Sequence, residues 1–223
     1  MVKSIFYKEW IKTRWYLLAA ALVIAVMTGV TLLQLGKTVE IRGRDLVWRM
    51  LILKDTVLVE SLRFIPLVVG ALLATVQFIP EITHKQLKLT LHLPYPQKRM
   101  VLMMYLWGIV ALLVLFLLQG GALAGVFRSW VAPELVRRVI ATTLPWYLAG
   151  LAAYLWVAAI CLEPTWKYRI LLLLILAGVV YLLFLSSVPE AYNGILAALA
   201  VYVALGQVLV FHSIARFKEG AQD

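Results

Sequence analysis

Residues 15–35 read WYLLAAALVIAVMTGVTLLQL, a run without one charged side chain. A helix of about 20 apolar residues matches the roughly 30 Å hydrocarbon core of a bilayer, so this stretch is read as a membrane span. Working outward, five further apolar runs follow, at about 57–79, 100–127, 139–160, 170–188 and 194–212. Hydrophobic residues make up 64% of the 223-residue chain and the mean hydropathy is +0.93. A soluble domain is nearer 45–50% apolar, which excludes a water-soluble globular fold. The sequence therefore predicts an all-α integral membrane protein, one transmembrane domain over residues 1–223 with six transmembrane helices.

The flanks of these runs set the expected orientation. Residues 1–14, MVKSIFYKEWIKTR, are too long and too rich in aromatics for the basic start of a signal peptide. At helical spacing Phe6, Tyr7, Trp10 and Ile11 share one arc, and Lys8, Glu9 and Lys12 share the opposite one. That pattern predicts an N-terminal interfacial helix lying apolar face down, or simply a basic flank that orients the first span. Six spans put both termini on one side, and basic residues are favoured in the cytoplasm. With both ends inside, twelve of the 21 Lys and Arg lie on the cytoplasmic side. The net charge of +10 sits mostly at the ends of apolar runs. There Lys and Arg meet anionic head groups, so the charge marks a lipid bilayer as partner and not nucleic acid.

Between the spans the reading is as follows. Residues 37–55 are expected outside, as a loop and an interfacial helix. Glu60 and Arg63 stand three apart, so they can pair across one helical turn, either within the membrane or at its outer mouth. Pro66 is expected to bend the helix just after them. Residues 128–138 form an outer loop in which Pro133 starts a short helix. Pro145 interrupts the fourth span, whose segment GLAAYLWVAA (150–159) offers a small-residue face for tight helix contact. Residues 163–169 make a short cytoplasmic turn, and 189–193 a short external link. Cys161, the only cysteine, permits no internal disulfide and no cysteine-based metal cluster.

The longest break on the cytoplasmic side is PEITHKQLKLTLHLPYPQKR, residues 80–99, with four basic residues against the single carboxylate of Glu81. As a plain loop it is a basic tether that fixes orientation. It also resembles, in order and spacing, the loop after the second span in exporter-type (ABC-2) permeases of ATP-binding-cassette transporters. Those show a Glu, a short helix, closely spaced leucines, and a Pro followed by a basic residue opening the third span. Here the positions are Glu81, then Leu87, Leu89, Leu91 and Leu93, then Pro94, then Lys98 and Arg99. The Gly-Thr pair common after the family's Glu is replaced by Gln86 and Leu87, and little room is left for re-entrant half-helices between the last two spans. The resemblance implies that 80–99 is a coupling loop on which an ATPase subunit docks, through Glu81, Lys85, Leu87, Leu91, Pro94 and Arg99. It also implies a homodimer, or a heterodimer with a related permease, in a bacterial cytoplasmic membrane.

No catalytic constellation accompanies these runs. His84, His92 and His212 have no carboxylate or Ser partner at a recognisable spacing, and no zinc-protease or nucleophile-elbow motif occurs. Gly36-Lys37-Thr38 imitates the end of a phosphate-binding loop, but no strand precedes it and the leading glycine is a Thr. ATP and Mg, if used, are expected in a partner subunit, with no cofactor or metal in this chain and no enzyme activity of its own. The deep polar residues are few and neutral, namely Thr28, Thr75, Gln77, Gln119 and Gln207, which argues against an ion-coupled carrier. The expected function is the permease subunit of an ATP-driven exporter. The alternative is a non-transporting membrane scaffold or assembly factor of the same architecture.

Overall fold

The computed structural model of the protein describes residues 2–43, 49, 56–83, 97–186 and 188–205. The described part is helical, with no strand. Five helices are long and apolar enough to cross a membrane: α1 (Val2–Arg42), α2 (Ile65–Thr83), α3 (Gln97–Trp130), α4 (Pro133–Leu162) and α5 (Trp166–Leu183). A three-residue 3₁₀ turn, Glu60–Leu62, precedes α2. A shorter apolar helix, α6 (Leu196–Leu205), follows α5, and residues 206–212 of the expected sixth run lie outside the described residues.

Several expected breaks are absent, each for a local reason. The interfacial helix and the first span are one helix of 41 residues, because nothing between Lys12 and Leu17 removes a backbone donor or favours another conformation. At about 1.5 Å per residue α1 is roughly 60 Å long, twice the hydrocarbon core. It stops at Gly43, whose φ of 78° is the left-handed geometry that ends helices, with its N–H bonded to the Val39 carbonyl at 3.0 Å. Residues 37–42, expected in a loop, are therefore its last turn and more.

Pro66 does not bend the second span. It is the second residue of α2, where the missing N–H would have no helical partner anyway. Pro133 does open a helix, but that helix runs on as α4 for 30 residues, through Pro145, so neither the short outer helix nor the interruption is present. The outer loop of 128–138 shrinks to two residues between Trp130 and Pro133.

The closest seam lies between α2 and α4. A Cβ on Gly70 would collide with the Gly150 carbonyl, and one on Gly150 would stand 2.6 Å from the Pro66 carbonyl oxygen. Ala149, Ala152, Ala153, Ala158 and Ala159 are buried along the same helix. The small-residue face of 150–159 is thus a packing seam, where missing side chains let backbones meet. Two apolar clusters stack along the bundle. One is built on Phe78, Tyr105, Leu112, Phe116 and Tyr154, the other on Leu35, Leu62, Leu123, Phe127 and Trp146 near the expected outer mouth.

Large apolar side chains also cover the outside: Trp15, Leu18, Leu22, Val26 and Leu33 on α1, and Ile170, Leu171, Leu173 and Leu174 on α5. Apolar patches of that extent do not persist on monomers in water. They are the surface a bilayer would cover.

Candidate functional site

The buried stripe of α2 runs Val69, Gly70, Leu73, Ala74, Gln77, Phe78, Glu81. That is the i, i+3/i+4 spacing of one helix face, and it ends on an acid. Because α2 continues through Pro80 to Thr83, Glu81 occupies its last turn and is fully buried against α1. Its Oε1 accepts from Lys8 Nζ at 2.7 Å and from Lys12 Nζ at 2.9 Å. Lys12 also pairs with Glu9, one turn earlier on α1, at 2.9 Å. Two carboxylates and two ammonium groups thus meet at one end of the bundle, just before the residues of the 84–96 stretch.

The arc of α1 that carries Lys8, Glu9 and Lys12 faces the bundle, not water. Glu9 is fully buried, while Tyr7, Trp10 and Ile11 are exposed. Charges this deep persist only when paired, and Glu81 is the partner that turns the arc inward. Both carboxyls lie beyond the uncharged runs 15–35 and 64–79. Burial acts to raise both. At Glu81 the ammonium groups of Lys8 and Lys12 outweigh it and hold the carboxyl below its ordinary range. At Glu9 burial outweighs Lys12, and the carboxyl titrates above its ordinary range.

A polar layer extends the site toward α3 and α4. Thr13 donates to the Glu9 carbonyl at 2.8 Å and accepts from Trp107 Nε1 at 3.1 Å. The Trp107 ring meets Phe6 and Trp10 edge-on, with centroids 5.7 and 6.0 Å apart. One turn before Glu81, Gln77 donates to the Met104 carbonyl at 2.8 Å and accepts from the Tyr154 hydroxyl at 2.8 Å. Four helices are therefore tied by hydrogen bonds within about two turns of the charge cluster. Deeper still, Gln119 donates to Thr28 at 3.3 Å, so the two buried amides, Gln77 and Gln119, pair across helices, whereas Thr75 bonds back to its own helix at Leu72.

Of the residues expected to form the docking surface, Glu81 faces inward and Arg99 is exposed in the first turn of α3. Lys85, Leu87, Leu91 and Pro94 lie outside the described residues. Lys8, Lys12, Trp107 and Tyr154 were not singled out from the sequence as site residues. The available signal was the continuation of the 70, 73/74, 77 stripe onto 81, which calls for a cation from a neighbouring helix.

At the far end of α2, Arg63 Nη1 stands 3.7 Å from Glu60 Oε1. The guanidinium is held more closely elsewhere: Nη2 donates to the Phe184 carbonyl at 2.6 Å, and the group lies against the rings of Phe64 and Phe184 at 5.5 and 5.3 Å. Arg63 thus anchors the end of α5, and the Glu60 carboxylate, 66% exposed, is the weaker partner. Among the described residues no group of three or more His, Cys, Asp and Glu is placed to hold a metal ion. No family model matches the chain, and no curated protein and no solved structure matches it.

Proposed function

We propose that the chain is the membrane-spanning permease subunit of an ATP-driven exporter, crossing the bacterial cytoplasmic membrane six times with both termini inside. It works as a dimer with a second permease copy or relative, and separate ATPase subunits dock at 84–99. The observation that carries this reading is the junction of Glu81 with Lys8 and Lys12. A loop that only orients the protein has no need of a buried ionic tie at its foot. A loop that is pushed needs its motion carried into the bundle, and this tie joins the foot of the loop to the longest helix. Glu81 then transmits force inside the membrane subunit, while Lys85, Leu87, Leu91 and Pro94 meet the ATPase.

Two measurements test it. The first is accessibility of single cysteines in a Cys161→Ala background. A cysteine at Thr90 is expected to resist an impermeant thiol reagent added outside intact cells, and one at Arg128 to react. Strong outside labelling at Thr90 sinks the topology. The second is purification in mild detergent, followed by ATP hydrolysis. A stoichiometric ATPase subunit is expected to co-elute, Leu91→Ala to weaken its retention, and Glu81→Gln to retain it with reduced stimulation of hydrolysis. Loss of one packed interface leucine typically costs above about 1 kcal/mol, a fivefold or greater drop in affinity. A chain that purifies folded with no ATPase subunit supports the scaffold reading instead.

A further inference from the structure

At the end of the bundle that carries Glu81, a cleft of about 390 Å³ opens between the last turns of α2 and α4 and the first turns of α5. Its walls are apolar, with Ile79 and Ile82 on one side and Ile160, Ile170 and Leu173 on the other. Arg169 and Trp166 line the cleft as well. Arg169 spends its Nε–H on the Glu163 carbonyl at 2.7 Å, and its guanidinium lies over the Trp166 ring at 5.2 Å. Two contacts thus fix the fork of the guanidinium, and among the described residues no carboxylate lines the cleft. The nearby Glu163 side chain is buried and accepts the Thr165 hydroxyl at 2.9 Å. The first turn of α5 contains no acid, and Lys167 within it is exposed.

We infer that this cleft binds an anionic phospholipid, its phosphate on Arg169 and its acyl chains along Ile79, Ile170 and Leu173. An arginine held beside an interfacial tryptophan, above apolar walls that continue into two spans, matches both parts of such a lipid. Basic pockets between helices on the cytoplasmic side suit acidic head groups, and Arg matches a phosphate with its planar fork. A free anion would use the arginine and leave the apolar walls unexplained, and a neutral lipid would leave the arginine unexplained. The inference rests on the membrane reading and is independent of the exporter assignment.

Cys161 lines the same cleft and is the only cysteine in the chain, so it reports occupancy without engineering. The full chain, reconstituted in discs of phosphatidylglycerol or phosphatidylcholine, is reacted with N-ethylmaleimide, and alkylation is followed by mass. Incorporation into discs checks the membrane reading on its own. Alkylation is expected to be about fivefold slower in phosphatidylglycerol, the weight of one basic side chain at an anionic surface. The difference should vanish in Arg169→Gln. Leu173 is exposed, so Leu173→Trp, which fills the cleft with Arg169 intact, should also abolish the lipid dependence if Arg169→Gln does not fold. Equal rates in the two lipids overturn the inference. Equal protection by inorganic phosphate in phosphatidylcholine discs overturns it too, in favour of a free-anion site.

Discussion

Lys12→Met is expected to be among the most destabilising single changes in this chain. Among the described residues Lys12 is the cation that pairs with both Glu9 and Glu81. Methionine fills a similar volume, so the packing loss is small and the electrostatic loss stands alone. Glu81 keeps Lys8, but Glu9 is left buried with no ammonium group of the described residues bonded to it. Removing one partner of a buried ion pair typically costs about 3–5 kcal/mol. The reverse truncation, Glu81→Gln, costs less, because Lys12 retains Glu9 and the partly exposed Lys8 can swing into water.

The same variant has a distinctive pH profile. The Glu9 carboxyl already titrates above its ordinary value of 4.5 in the folded chain, and losing Lys12 raises it further. A group whose folded pKa is raised stabilises the fold below its unfolded pKa, and that stability disappears as pH rises through the folded pKa. The deficit of Lys12→Met is therefore expected to be greatest at neutral pH and to shrink toward pH 5. The Glu81 carboxyl, held low, behaves in the opposite way. Its contribution is present above 4.5 and is lost as pH falls through its depressed value, so wild type itself weakens in acid and Glu81→Gln loses that limb. Unfolding midpoints in mixed micelles from pH 8 down to pH 2 measure all three. A Lys12→Met chain as stable as wild type at pH 7, or with a deficit constant down to pH 5, removes the ion cluster from the account.

The sequence revealed the apolar helices readily, because a bilayer demands long uncharged runs and composition alone shows them. Helix ends were less legible. Pro66, Pro80 and Pro145 all suggested breaks or bends, yet each lies within a helix: Pro66 at its second position, where no helical donor is lost, and Pro80 and Pro145 in interiors that neighbouring helices can stabilise. The site was hidden for a different reason. The arc of Lys8, Glu9 and Lys12 reads as a polar face toward water, and that reading is correct for a helix considered by itself. Its reversal depends on Glu81, 69 positions from Lys12 in the chain, and no local pattern encodes that pairing. The tie from Trp107 to Thr13 is non-local in the same way. Gln77 and Gln119 were recognisable as deep polar residues, because an amide within an apolar run must find a partner, although the run does not say which one.

The second large effect is expected at the α2–α4 seam. Gly70 and Gly150 meet backbone to backbone, and an alanine at either position adds one methyl where there is no room. At Gly70 the new carbon collides with the Gly150 carbonyl. At Gly150 it would stand 2.6 Å from the Pro66 oxygen and 2.7 Å from Phe116 Cζ. A flexible side-chain tip can move aside, but a helix backbone moves only if the whole helix shifts. That shift would also strain the hydrogen bond from Tyr154 to Gln77, which spans the same two helices. Overpacking of this kind costs about 1–3 kcal/mol, with the upper end expected where backbone blocks relaxation. Gly29→Ala and Gly178→Ala are the comparison, since a Cβ there meets nothing within 4 Å, and they should change stability little. Because Gly70 and Gly150 lie on one seam and a single shift of the helices relieves both, the double alanine variant should cost less than the two single changes together. Resistance to unfolding by sodium dodecyl sulfate in mixed micelles ranks the five variants. If Gly70→Ala and Gly150→Ala unfold with Gly29→Ala, the two helices do not meet at these glycines, and the seam that aligns Glu81 with α1 must lie elsewhere.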